Sequence, residues 1–384
     1  MKINIFGSTG TIGIKTLNII KNYYPKYKVN LLCANSNYKL LYKQVKIYRP
    51  KYVYLNTISS SNLLRSKLPV DTKILTYKNL IDYLSSSKSN YTLFAISGYK
   101  SLNYLDSILL NTENLGFVNK ESIVSAGHLI KKNKNFKKTN IYPIDSEHFS
   151  IYDFLHNNKS NQSIKSIIIT ASGGPFLYKS KKSINSVSFK DAIKHPKWKM
   201  GYKNSIDSAT LVNKCLEVVE AHYLFDIPYS KIKILIHPEA IVHSIIEKDN
   251  YVSHMNLFKN DMSIPIINFL NHKKYTFDKQ IKKYNFNNYS AFNFYKVNNN
   301  IFPIYKFFNK MDKANPSNLI KFNVGNEYAV NLFKNRKIRY PDIYKIIKKA
   351  VSLKLYSPLN NIKSIIKYHE DIEQYISSSI KINT

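Results

Sequence analysis

The stretch Lys2-Ile3-Asn4-Ile5-Phe6-Gly7-Ser8-Thr9-Gly10-Thr11-Ile12-Gly13 decides the fold. Ile3, Ile5 and Phe6 read as a buried strand, and the apolar spacing over 12–23 reads as a helix. Between them lie three glycines spaced G-x-x-G-x-x-G, a variant of the strict G-x-G-x-x-G fingerprint. Glycines let the chain turn tightly and approach a pyrophosphate closely, and the helix that follows offers free N–H groups at its N-terminus. Gly7, Ser8, Thr9, Gly10, Thr11, Ile12 and Gly13 are therefore candidate dinucleotide contacts. The plainer alternative is a glycine turn that only shapes a loop. The position directly after an N-terminal strand favours the dinucleotide.

Outward from this turn, strand-like runs at 28–34, 52–55, 93–96, 115–118 and 140–144 alternate with helical patterns such as 38–47. Such alternation predicts βαβ units and a doubly wound, mostly parallel sheet, a Rossmann-like domain over 1–145. The strand 29–33 runs into Asn35, Ser36 and Asn37, where an NAD site places an acid for the ribose 2′-hydroxyl. No acid stands there, and small polar groups with Lys39 nearby suit a 2′-phosphate, which points to NADP(H). Gly98 and Asn119-Lys120-Glu121-Ser122 follow further strands and border the same crevice, so Asn119 and Glu121 join the cofactor candidates. Strands at 163–170, 231–237, 241–247 and 251–257 with a helix at 207–224 predict a second α/β domain over 146–270, catalytic in character. Residues 271–300, rich in Asn, Lys and aromatics, read as a linker. Helical spacing at 302–310, 325–335, 341–353 and 361–380 predicts a C-terminal helical bundle over 301–384. The class is α/β.

The chemistry is written in two places. Asp145-Ser146-Glu147, if extended, points two carboxylates the same way. In a helix, Asn213, Lys214, Glu217 and Glu220 share a face. Asp145, Glu147 and Glu217 without a cysteine suit Mg²⁺ or Mn²⁺. Each carboxylate taken alone can be a surface charge or a helix cap, the better reading for Glu220 and the weaker one for the Asp145–Glu147 pair. Ser172-Gly173-Gly174-Pro175-Phe176 follows a strand, where a hydroxyl and backbone N–H groups can face a phosphate, or simply make a turn. Ser208, Asn213 and Lys214 add donors for the same anion, and His195 can join them. Trp198, the single tryptophan, sits in His195–Gly201 between lysines and beside Pro and Gly, as in a lid that excludes water, though packing alone accounts for it equally well. His237 and His243 lie in apolar strands and read as core histidines.

Composition narrows the function further. The formal charge is +34, but the lysines are spread along the chain, as compositional drift would leave them, and no nucleic-acid motif accompanies them. A specific nucleic-acid partner is therefore not expected, while phosphorylated small molecules are drawn in at long range. No apolar run approaches the roughly 18 residues of a membrane span. Two cysteines and a chain that runs from Met1 straight into a strand predict a cytoplasmic protein.

Taken together and in this order, Gly7–Gly13, Asn119–Ser122, Asp145–His148, Ser172–Phe176, His195–Gly201, Ser208–Glu220 and Asn323–Glu327 resemble the 1-deoxy-D-xylulose 5-phosphate reductoisomerases over most of the chain. The resemblance implies an NADPH domain, a central catalytic and dimerising domain, a helical C-terminal domain and a homodimer. It implies Mg²⁺ or Mn²⁺ on Asp145, Glu147 and Glu217, with Lys120 and Ser146 near the substrate backbone. It assigns the substrate phosphate to Ser172, His195, Ser208, Asn213 and Lys214, the lid to Trp198, and the nicotinamide side to Met200 and Gly201. The implied reaction cleaves and re-forms a carbon–carbon bond of the ketose phosphate and reduces the resulting aldehyde with NADPH, giving 2-C-methyl-D-erythritol 4-phosphate. Thr11 stands where the family usually has serine, and Leu177 and Ser263 where relatives often have arginine. A different NADP-dependent oxidoreductase is the rival reading, and the joint presence of the lid and phosphate motifs argues against it.

Overall fold

Ile3, Ile5 and Phe6 of the first strand, β1 (Lys2–Phe6), are wholly buried, as a strand covered on both faces requires. The computed structural model of the protein describes residues 1–157, 164–198, 200–271, 289 and 291–379. Lys199, residue 163 and most of the segment 271–300 lie outside the described residues.

The chain packs as two units. The first contains Met1–Asn119, Lys132–Phe149 and residues 261–271. Its sheet comprises β1, β2 (Lys28–Ala34), β3 (Tyr52–Leu55), β4 (Lys73–Ile74), β5 (Ser89–Phe94), β6 (Thr112–Phe117) and β7 (Asn140–Pro143). The order is β4-β3-β2-β1-β5-β6-β7, and every pairing is parallel. The order reverses between β1 and β5, so the crevice at their carboxyl ends is the topological switch point where doubly wound sheets bind ligands. The helix Ser263–Leu270 belongs to this unit. Its Phe269 ring meets Tyr91 at 5.4 Å and Tyr142 at 5.8 Å between centroids. β4 has only two residues, too few for any periodic signal in the sequence.

The second unit contains Lys120–Lys131, Ser150–Asn260 and the described residues from 289 onward. Its sheet is built from β8 (Ile164–Ala171), β9 (Ile232–Ile236), β10 (Val242–Lys248) and β11 (Ser253–Leu257). The order is β11-β10-β8-β9, with β8 and β9 parallel and the other pairs antiparallel. The helices Pro303–Lys310, Pro316–Lys334, Tyr340–Val351 and Ile362–Ser379 supply the C-terminal helical part. Helix Pro316–Lys334 is buried along most of its length, polar Asn323 and Asn326 included, and it packs against both Tyr340–Val351 and Lys120–Ile130.

The helix expected over 207–224 is two helices, Tyr202–Thr210 and Val212–Phe225. They break at Leu211, which is buried and left-handed (φ 68°). A leucine there is strained by about 1–2 kcal/mol, and no sequence pattern signals it.

Candidate active site

In the first unit the glycine turn sits at the carboxyl end of β1. Gly7 has φ +81°, and a β-carbon there would lie 2.2 Å from the Ala95 carbonyl oxygen, so only glycine fits against β5. The Gly7 and Ser8 N–H groups both donate to Cys33 O (2.9 Å each), and Gln44 Nε2 donates to Ser8 O (2.7 Å), a support the sequence reading missed. Gly10 caps the helix Thr11–Tyr23 without a side-chain hydrogen bond and with no acid in the first turn. The N–H groups of that first turn, around Thr11, Ile12 and Gly13, therefore face the crevice end of the sheet with a positive dipole end. Asn35, Ser36 and Asn37 form an exposed turn after β2. Asn35 accepts from Asn56 Nδ2 (3.1 Å), and Asn37 caps the next helix through Leu40 N–H (3.1 Å). Asn119 Nδ2 donates to Ile96 O and to Gly98 O (3.2 Å), tying together the segments that follow β5 and β6.

Asp145 and Glu147 are not on an extended segment. A helix begins at Ser146 and runs to Asn157, and Asp145 Oδ1 accepts the N–H groups of Glu147 (3.0 Å) and His148 (3.1 Å). The aspartate satisfies the helix's first donors, an N-cap that overrides alternation. Ser146 Oγ donates to Glu147 Oε2 (2.8 Å), and His148 Nδ1 lies 3.0 Å from Asp145 Oδ1. Ser146 and Glu147 are buried.

In the second unit, Asn213, Lys214 and Glu217 do share one face of Val212–Phe225. Glu217 is completely buried. Lys120 Nζ lies 2.7 Å from its Oε1 and Lys214 Nζ 2.7 Å from its Oε2, and Asn213 Nδ2 donates to Oε1 as well. Glu220 is also buried rather than a surface charge. Glu217 thus belongs to the second unit, and Asp145 and Glu147 to the first.

A second polar cluster adjoins it in sequence. His195 Nε2 lies 3.0 Å from Ser172 Oγ and 3.1 Å from Ser208 Oγ. His195 Nδ1 accepts the N–H groups of Lys197 (3.2 Å) and Trp198 (2.9 Å). A nitrogen that accepts two N–H bonds carries no proton, so the neutral ring bears its hydrogen on Nε2, aimed between the two hydroxyls. Gly174 N–H donates to Ser172 Oγ (3.2 Å), and its own left-handed φ of +63° brings its Cα against the Ser208 carbonyl, where a β-carbon would sit at 2.9 Å. The break at Leu211 thus delivers Ser208 to one cluster and Glu217 to the other. Trp198 and Met200 are half-buried, and Gly201 is the exposed cap of Tyr202–Thr210. His237 and His243 are buried and stack on Phe294 (4.7 Å) and Phe258 (4.0 Å), as core histidines do.

Glu121 has a partner the sequence reading did not name. Lys203 Nζ lies 2.9 Å from Glu121 Oε1 and 2.9 Å from Asp207 Oδ2. The four-residue spacing of Lys203 and Asp207 was a legible signal, whereas the link to Glu121 was not.

A glycine turn at the switch point of a parallel sheet, with a hydroxyl–imidazole cluster and a buried carboxylate held by lysines, defines a dinucleotide-dependent oxidoreductase acting on an anionic substrate. Family models match residues 3–127 (1-deoxy-D-xylulose 5-phosphate reductoisomerase), 141–225 (its C-terminal domain) and 257–375 (DXP reductoisomerase C-terminal domain). The 1-deoxy-D-xylulose 5-phosphate reductoisomerase of Pelagibacter ubique (strain HTCC1062) is 37% identical over 99% of this chain and 98% of its own. That of Sulfurihydrogenibium sp. (strain YO3AOP1) is 35% identical over 95% and 94%. A crystal structure of DOX-P reductoisomerase in complex with NADPH, fosmidomycin and magnesium superposes with a TM-score of 0.90 at 29% identity, covering 98% of each chain. The Zymomonas mobilis enzyme in complex with NADPH gives 0.87 at 30% identity, also covering 98% of each. The chain belongs to the 1-deoxy-D-xylulose 5-phosphate reductoisomerase family.

Proposed function

We propose that this chain converts 1-deoxy-D-xylulose 5-phosphate to 2-C-methyl-D-erythritol 4-phosphate with NADPH and a divalent cation, through the following residues. Asp145, Glu147 and Glu217 hold Mg²⁺ or Mn²⁺. Three carboxylates and no thiol suit a hard cation. When bound, the cation polarises oxygens of the ketose and NADPH supplies the hydride.

The chain's own residues bind and orient. Ser172, His195, Ser208, Asn213 and Lys214 take the phosphate, and the His195 proton on Nε2 supports this role, since it already points between two hydroxyls. This anchor holds the substrate far from its reacting carbons and lends binding energy to the chemistry there. Lys120 and Ser146 orient the sugar backbone. Trp198 closes the site against water, and Met200 and Gly201 flank the nicotinamide. The turn Gly7–Gly13 takes the pyrophosphate, Asn35, Ser36 and Asn37 the 2′-phosphate, and Asn119 and Glu121 the rest of the cofactor crevice. In this assignment 1–145 is the NADPH-binding domain, 146–270 the catalytic and dimerisation domain, 271–300 a linker, and 301–384 the C-terminal helical domain.

A homodimer is part of the same reading. It is supported by β11, an edge strand next to exposed Tyr251 and Val252 that itself exposes Met255, since unpaired edges with apolar side chains invite pairing. A cytoplasmic location is supported by Cys33 and Cys215, both free and buried. No described helix is long and apolar enough to cross a membrane.

The observation that carries the proposal is the Ser172–His195–Ser208 cluster beside a helix whose next turns present Asn213, Lys214 and Glu217. The experiment is product identification after incubation with the ketose phosphate, NADPH and Mg²⁺. Methylerythritol phosphate is expected, and NADPH consumption with a different product would assign the chain another substrate chemistry.

A further inference from the structure

Gln44 is buried on helix Tyr38–Tyr48, on the same face as Leu41 and Val45, which are fully buried. A polar side chain in such a place costs free energy unless it is bonded. Gln44 makes one bond, from Nε2 to Ser8 O at 2.7 Å. A carbonyl only accepts, so the nitrogen is the end that faces it. The other end, Oε1, is buried without a hydrogen-bond partner. An apolar residue of the same length would pack here without an unsatisfied oxygen, so packing alone does not account for a glutamine.

The bond joins two parts of the cofactor crevice within the first unit. The backbone of the glycine turn is held from three sides. Cys33 O, at the end of β2, accepts from Gly7 and Ser8, and Gly7 lies close against Ala95, just beyond β5. The third hold is Gln44, among the described residues the side chain that bonds this backbone. Its helix starts directly after Asn35, Ser36 and Asn37. Asn35 O accepts Thr57 N–H (2.9 Å), Ser36 O accepts Tyr38 N–H (2.8 Å), and Asn37 caps the helix, whose first turn carries no acid. One helix of 11 residues thus has the 2′-phosphate candidates at its start and, about 10 Å further along its axis, the side chain that grips the pyrophosphate turn.

We propose that Gln44 is a positioning residue for the dinucleotide: it fixes the spacing between the pyrophosphate turn and the helix start that takes the 2′-phosphate. Two contacts on one ligand reinforce each other only while their spacing is held. NADPH spans both places, NADH lacks the 2′-phosphate, and adenosine 2′-phosphate grips the helix start alone. Gln44 therefore strengthens the preference for NADPH without touching it. The effect on the cofactor rests on the reading of Gly7–Gly13 and Asn35–Asn37 as its contacts, whereas the hold of Gln44 on the turn does not.

The test uses full-length Gln44→Met, which keeps the side-chain length and removes the donor, and Gln44→Asn, which keeps the amide but falls a methylene short of Ser8. Circular dichroism checks folding. Both variants should bind NADPH about tenfold more weakly, the size of one lost hydrogen bond, NADH more weakly by a smaller factor, and adenosine 2′-phosphate as the wild type does. In turnover the KM for NADPH should rise about tenfold while kcat at saturating NADPH holds, a split that a general loss of folded protein would not give. With no ligand present, amide hydrogen exchange over residues 7–13 should quicken in both variants. Unchanged NADPH affinity in Gln44→Met, or an equal loss for NADPH and NADH, overturns the proposal. A loss in Gln44→Asn alone makes packing the cause and overturns it too. Should Gln44→Met fail to fold, Gln44→Asn decides by the same ratio of NADPH to NADH. If the wild type binds no NADPH, the cofactor reading fails, and unchanged exchange over 7–13 would then overturn the role of Gln44 separately.

Discussion

Lys120 Nζ lies 2.7 Å from Glu217 Oε1, although the two residues are 97 positions apart. The contact joins helix Lys120–Ile130 to helix Val212–Phe225, which pack against each other. Lys214 holds the other carboxylate oxygen at the same distance. Removing the carboxylate from such a buried group leaves ammonium charges uncompensated.

Glu217→Gln therefore tests both stability and the metal assignment. It removes the counter-charge of two poorly exposed lysines, and breaking a buried pair costs roughly 3–5 kcal/mol. A lower Tm is expected, and Mg²⁺ should raise the Tm of the wild type but not of the variant. Changing groups that only support metal ligands typically costs 10- to 100-fold, so turnover should fall by at least about 100-fold. NADPH affinity should be unchanged. Near-normal turnover would remove Glu217 from the site.

His195 offers a test that separates its two nitrogens. Nδ1 holds the backbone of Lys197 and Trp198, and Nε2 faces the serines. Asn can imitate the first role and Gln the second. His195→Asn should keep the segment in place, as judged by Trp198 emission, while raising the substrate KM by about tenfold or more. His195→Gln should do the reverse. Equal effects in both readouts would contradict the assignment of the proton to Nε2.

The glycine turn predicts a contrast between neighbours. Gly7→Ala puts a β-carbon 2.2 Å from Ala95 O at φ +81°, and backbone strain of this kind costs about 1–3 kcal/mol before the clash is counted. It should unfold the domain or cut its Tm sharply. Gly10 has an ordinary φ of −82° and meets only Gly7 O, at 3.3 Å. Gly10→Ala should fold and melt like the wild type, yet bind NADPH about tenfold more weakly, because the added methyl occupies the approach of the pyrophosphate. Equal NADPH affinity in a titration would place the dinucleotide elsewhere.

Acid stability should carry the signature of His369. It is fully buried against Ser125 Oγ (2.9 Å), and burial pulls its pKa down to about 3 from the ordinary 6.5. Between those values the unfolded chain binds the proton that the folded chain refuses. Its contribution is thus complete above about pH 6.5 and is lost as pH falls toward 3, at no more than about 1.4 kcal/mol per pH unit. Urea unfolding from pH 7 to pH 4 should show a shallower loss for His369→Gln than for the wild type. Identical slopes would contradict a neutral buried histidine.

Some of this was legible in the sequence. Ile3, Ile5, Phe6 and Val29–Ala34 announced their strands because strands buried on both faces are continuously apolar, and Gly7–Gly13 announced the turn because its conformation needs glycine. Asp145–Glu147 was misjudged in geometry, since alternation and an N-cap place the same residue types at the same spacing. The break at Leu211 was invisible, because its left-handed φ of 68° falls on a residue with no propensity for it. The Lys203–Glu121 pair was equally hidden, being a contact between elements far apart in the chain.

The most direct measurement is the initial rate of NADPH oxidation by purified protein with 1-deoxy-D-xylulose 5-phosphate, after chelation and after restoring Mg²⁺ or Mn²⁺. The account predicts no oxidation in chelator, and restored oxidation that yields methylerythritol phosphate once metal returns. Oxidation that ignores the metal, or none at all from folded protein that binds NADPH, would contradict it.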